Sequence, residues 1–105
     1  MPQQGPIAVV GLGGIFPGAP DLERFWQNIS EGVCSAKDAP PGRWALRGKD
    51  VFDPQKGAPD KVYSLKACFI EDFKLDPAGL DLRRDFIEKL DPAFHLGLHA
   101  ARQAF

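Results

Sequence analysis

The sequence has few cysteines, no excess of either charge and no long apolar run. Cys34 and Cys68 are its only cysteines and form no Cys-x-x-Cys spacing, so zinc or thioredoxin-like chemistry has no support. Thirteen basic and 14 acidic residues give a net charge of −1, which argues against nucleic-acid binding. No stretch approaches the ~20 apolar residues of a membrane span, and residues 1–6 lack the regions of a signal peptide. We therefore expect a cytoplasmic protein with reduced thiols and no membrane partner.

Glycine and proline are abundant instead. The 105 residues include 11 glycines and 10 prolines, which predict many turns and short elements. The length allows one small domain, which would bury about two-thirds of the surface that its unfolded chain exposes. A small domain with so much irregular backbone needs a partner surface. We therefore expect the chain to belong to a larger unit.

Two segments have the character of β-strands. Ile7–Val10 is a short apolar run ending at Gly11, which predicts a buried strand. Residues 33–60 are dense in glycine and proline, which predicts an irregular excursion. Residues 62–70 alternate in polarity, which predicts a strand and one arm of a hairpin.

Three helices are predicted. The first begins at Asp21 as N-cap and ends at Gly32, and its apolar face consists of Leu22, Phe25, Trp26 and Ile29. Residues 80–90 are a second candidate. The third helix has Asp91 as N-cap and Pro92 at its first position, and it continues to Phe105.

Gly11-x-Gly13 after a strand is the opening of a dinucleotide fingerprint. The full motif needs a third glycine and a helix N-terminus for the pyrophosphate, but Phe16 stands at the third position and Pro17 follows. We therefore interpret the glycines as a tight turn. Nucleotide binding stays open as a third hypothesis, testable by thermal shift with NAD(P) or ATP.

His95 and His99 share one face of the third helix, as two metal ligands would. A zincin would carry glutamate at position 96, where Leu96 stands, and no third ligand is evident nearby. The two histidines are therefore interpreted as polar helix residues, and no metal site is predicted.

Neither cysteine has the surroundings of a nucleophile. Cys34 follows a helix C-terminus, where the dipole disfavours a thiolate, and Cys68 lies in a predicted strand without an evident base. Pro40–Trp44 is interpreted as an anchored loop, and Arg43 as a residue without a direct catalytic role. The sequence thus offers no catalytic, cofactor-binding or metal-binding residue of its own.

Taken in order, these segments resemble the start of modular polyketide-synthase ketosynthases, which are β-ketoacyl synthase domains. The matching pieces are the opening run Ile7–Gly18, Asp21-Leu22 with Phe25-Trp26 and Asn28, Pro40-Pro41-x-Arg43-Trp44, Phe69-Ile70-x-Asp72, and Leu90-Asp91-Pro92. The sequence departs from the family after Pro92, where Ala93-Phe94-His95 replaces a Gln-Gln-Arg run, and at His99, where the family usually carries an acidic residue. These departures indicate a divergent branch.

The resemblance implies an α/β fold, or α+β for an isolated piece. Residues 7–105 would form the N-terminal portion of a thiolase-like ketosynthase domain, and residues 1–6 a flexible leader. Such domains join acyl thioesters by decarboxylative condensation, with substrates carried on the phosphopantetheine of an acyl carrier protein. The implied partners are the remainder of the domain, the carrier protein and a second copy of the parent.

The family's cysteine nucleophile and two histidines lie beyond the matched region. Cys34, Cys68, His95 and His99 do not align with them, so we expect no activity from this chain alone. The resemblance leaves open polyketide and fatty-acid synthesis. A second hypothesis is a catalytically silent scaffold or docking module that pairs with a partner chain through exposed apolar surface.

Overall fold

The computed structural model describes residues 5–105, which contain short helices and one small sheet. The elements are α1 (Leu22–Ser30), β1 (Ala36–Asp38), α2 (Gly48–Val51), β2 (Lys66–Cys68), α3 (Arg84–Glu88) and α4 (Pro92–Ala104). This mixture agrees with the predicted α+β content. The leader, residues 1–6, lies mostly outside the described residues, and its boundary stays a prediction.

Helix α1 begins and ends where the local chemistry predicts. The Asp21 carboxylate accepts the backbone N–H of Arg24 at 2.8 Å and satisfies one of the free donors of the first turn. Gly32 follows the helix with a φ of +67°, the left-handed conformation that commonly ends a helix. The predicted first helix is confirmed.

Helix α4 is the longest element and also follows its caps. The Asp91 carboxylate accepts the N–H of Ala93 at 2.8 Å, and Pro92 occupies the first turn, where its missing N–H costs no hydrogen bond. The helix runs to Ala104. The predicted third helix is therefore confirmed.

The sheet consists of β1 and β2, paired antiparallel. Ala36 lies opposite Cys68, Lys37 opposite Ala67, and Asp38 opposite Lys66. The predicted strand in residues 62–70 is thus present but only three residues long. Its partner, β1, lies much earlier in the chain, so the prediction of a hairpin between two neighbouring strands is wrong. Residues 33–60 are otherwise irregular apart from α2, as predicted.

Two predicted elements differ in the structure. Ile7–Val10 lies in no strand within the described residues, because a strand needs a ladder partner and none lies beside it; Ile7 is 92% exposed. The helix predicted over residues 80–90 is reduced to α3. It ends in tight turns, with Leu90 N–H bonded to Ile87, because the extended conformation of Asp91 that precedes Pro92 cannot continue a helix.

The described residues bury very little core. Among apolar side chains only Ala19 and Ile87 are buried in residues 5–105, with Asn28 as the buried polar residue. The radius of gyration is 18.8 Å, against about 13 Å for a compact domain of this length. The accessible area is 8858 Å², against about 5,800 Å² for a folded monomer of this mass. Large apolar side chains therefore remain uncovered.

The uncovered side chains include the face of α1 that periodicity assigns to a core. Trp26 is 69% exposed and Ile29 54%. No helix within residues 5–105 has the length and apolar character needed to cross a membrane. The amphipathic pattern of α1 is real, but the surface that it would pack against does not lie in the described part of the chain.

Candidate functional site

Residues 11–19, which we call the opening loop, contain glycines that allow the backbone to touch helix α4. A Cβ atom at Gly11 would overlap the carbonyl oxygen of Ala104, and one at Gly13 would overlap that of Ala100 and lie 2.9 Å from the Ala104 nitrogen. Neither glycine has a positive φ. Their role is close approach between two backbones, so the interpretation as a tight turn is wrong for these two positions.

This contact leaves no room for a nucleotide phosphate at the two glycines. The space in front of them is filled by the C-terminal half of α4, which carries the negative end of the helix dipole. A phosphate site needs the opposite end of a helix. The geometry of Gly11 and Gly13 therefore gives nucleotide binding no support.

A polar cluster on α4 holds the loop that follows these glycines. The Gly14 N–H donates to Oε1 of Gln103 at 3.0 Å, and Nε2 of Gln103 donates to the carbonyl of Pro20 at 2.8 Å. Nε2 of His99 lies 3.0 Å from the same carbonyl oxygen, and the His99 ring meets Phe73 edge-on at 5.1 Å between centroids. Sequence analysis missed Gln103, although it follows His99 by four residues and so shares its helix face.

His95 points to a different segment. Its Nε2 lies 2.7 Å from the carbonyl of Ile87 and donates to this group at the end of α3. His95 and His99 therefore bind separate carbonyl oxygens and do not converge. In the part of the chain that the structure describes, no three histidine, cysteine, aspartate or glutamate side chains group as metal ligands would.

The opening loop closes with a two-residue turn. Phe16 and Ala19 exchange both backbone hydrogen bonds, at 2.8 and 2.9 Å, and Gly18 has a φ of +72°. Proline followed by a glycine of positive φ is the arrangement of a type II turn. The ring of Phe16 stacks on that of Phe25 with centroids 3.9 Å apart. The turn thus seats the loop on α1.

Asn28 and Ser35 fix this turn from the side. The buried amide of Asn28 donates to the Gly18 carbonyl at 3.0 Å, and the Ser35 hydroxyl donates to the Pro17 carbonyl at 3.0 Å. Asn28 belongs to the segment matched to the family, but the sequence alone gave no indication that its side chain is buried. The three residues Pro17, Gly18 and Asn28 therefore form one packed unit.

The segment Pro40–Trp44 forms a second turn of the same kind. The Arg43 N–H donates to the Pro40 carbonyl at 3.1 Å, and Gly42 has a φ of +76°. The Arg43 guanidinium lies over the ring of Phe69 at 5.5 Å, and Trp44 is half-buried. These contacts agree with a loop anchor. The absence of a catalytic role for Arg43 stays a prediction.

The two cysteines are exposed free thiols. Cys68 lies in β2 opposite Ala36, and Cys34 precedes β1 in an irregular segment. Within residues 5–105, neither thiol has a histidine hydrogen-bonded to it. The contacts described above position backbone segments against one another, and the absence of a catalytic residue stays a prediction.

Comparison with known proteins gives a consistent result. The family model "Beta-ketoacyl synthase, N-terminal domain" matches residues 4–105. Polyketide synthase ThaG of Burkholderia thailandensis is 40% identical over 99 residues, which are 93% of this chain and 2% of that protein. Polyketide synthase PksM of Bacillus subtilis is 33% identical over 96 residues, 90% of this chain and 2% of that protein.

The fold is similar to a solved ketosynthase domain, OzmH KS7 of oxazolomycin synthesis from Streptomyces albus JA3453. The TM-score is 0.68 at 30% identity, over 89% of this chain and 16% of that chain. The chain therefore has the fold of the first part of a thiolase-like ketosynthase domain. It spans a small fraction of each of these three proteins.

Proposed function

This chain belongs to the β-ketoacyl synthase family, and we propose that it serves as the N-terminal part of a ketosynthase domain in a polyketide synthase. The observation that carries the proposal is the match of residues 4–105 to the N-terminal domain of that family. The similarity to a ketosynthase fold over 89% of the chain supports it.

The uncovered apolar surface supports the same proposal. The accessible area of 8858 Å² exceeds that of a folded monomer of this mass by roughly 3,000 Å². This excess is several times the ~800 Å² that each partner buries in a standard interface. A domain-sized neighbour is needed to cover it, and the remainder of a ketosynthase domain has the required size.

The proposed domain catalyses decarboxylative condensation of acyl thioesters. A cysteine nucleophile and two histidines outside this chain would carry out the chemistry, and an acyl carrier protein would deliver the acyl groups on its phosphopantetheine. The residues described above would act only by packing: the contact of Gly11 and Gly13 with α4 and the turn at Phe16–Ala19 hold this segment against α4 and α1. A homodimeric parent and polyketide synthesis, in preference to fatty-acid synthesis, are parts of the proposal.

The experiment is a chimeric ketosynthase. The N-terminal segment of the Streptomyces albus ketosynthase domain that matches this chain is replaced by residues 4–105, and acylation of the domain's active cysteine by an acyl thioester is followed by mass spectrometry. Condensation with a malonyl carrier protein is the second measurement. The unaltered domain is the positive control, and its cysteine-to-alanine variant is the negative control.

We expect the chimeric ketosynthase to fold, to become acylated and to condense. A chimera that fails to fold while the unaltered domain works would contradict the proposal. The alternative, a scaffold or docking module, draws on the same exposed apolar surface. It predicts instead that the 105-residue chain is a monodisperse, cooperatively folded monomer, which analytical ultracentrifugation and a thermal melt would reveal.

A further inference from the structure

We draw no further inference here: the strongest candidate, the open cleft between the Pro40–Trp44 turn, residues 68–73 and the start of α4, carries no proposal because its Arg43 and His95 side chains already contact Phe69 and Ile87 and nothing in residues 5–105 points to a ligand for it.

Discussion

Adding one methyl group at Gly13 tests whether the opening loop lies directly on α4. In Gly13→Ala the new Cβ would overlap the Ala100 carbonyl oxygen and lie 2.9 Å from the Ala104 nitrogen and 3.0 Å from the Ala100 carbonyl carbon. These atoms belong to helix backbone and cannot rotate away as a side chain could. The loop must therefore move outward, and the 3.0 Å hydrogen bond from Gly14 to Gln103 lengthens.

The expected cost combines two effects. Overpacking costs about 1–3 kcal/mol, and one lost hydrogen bond adds about 1 kcal/mol. We expect the free energy of unfolding of the chimeric ketosynthase, measured by urea titration, to fall by roughly 2–4 kcal/mol. The matched control is Gly97→Ala on α4, where a Cβ meets nothing within 4 Å. That substitution should stabilise by up to ~1 kcal/mol through helix propensity. Equal stability of the two variants would refute the close contact.

Three further substitutions test a helix cap, a turn and an exposed ion pair by the same titration. Asp91→Ala should lower the free energy of unfolding by about 1 kcal/mol because α4 loses its N-cap. Asp91→Asn keeps an acceptor for the Ala93 N–H and should change the free energy of unfolding little. Equal losses in the two variants would contradict the capping role. Gly18→Ala should cost about 1 kcal/mol more than Gly57→Ala, although both glycines have positive φ. A Cβ at Gly18 would lie 2.9 Å from the Ser35 hydroxyl oxygen and displace it from its hydrogen bond to Pro17, whereas a Cβ at Gly57 would meet nothing within 4 Å. Asp85→Asn should change stability by less than ~0.5 kcal/mol, since its ion pair with Arg83 is exposed; a larger loss would mean that the pair is covered in the whole domain.

The parts of the fold that the sequence predicted are those set by nearby residues. Asp21 and Gly32 delimit α1, and Asp91 with Pro92 begins α4, because capping depends on groups within three residues of the helix end. The irregularity of residues 33–60 follows equally from local glycine and proline.

The parts that sequence analysis missed depend on distant partners. The strand expected at Ile7–Val10 has no neighbour in the described residues, and β2 pairs with β1 across residues 39–65. The spacing of Gly11 and Gly13 predicts only a turn, because the position of α4, about 90 residues later in the chain, does not follow from local sequence. The role of Gln103 could not be predicted for the same reason, because its partners Gly14 and Pro20 are far away in the sequence.

The family could be identified from the sequence because its motifs occur in a fixed order along the chain. The exposure of Trp26 and Ile29 could not be predicted, because the periodicity of α1 predicts an apolar face but does not say which segment covers it. The absence of catalytic residues in this chain stays a prediction.

The proposed function requires that these residues complete their core only against the remainder of a ketosynthase domain. The most direct test is urea unfolding of the 105-residue chain, followed by the fluorescence of Trp26 and Trp44, beside the chimeric ketosynthase. We predict a gradual change without a cooperative transition for the chain and a cooperative transition for the chimera. A single sharp transition of the chain alone, with an m-value of about 1 kcal/mol/M or more, would contradict the claim and favour an independent docking module.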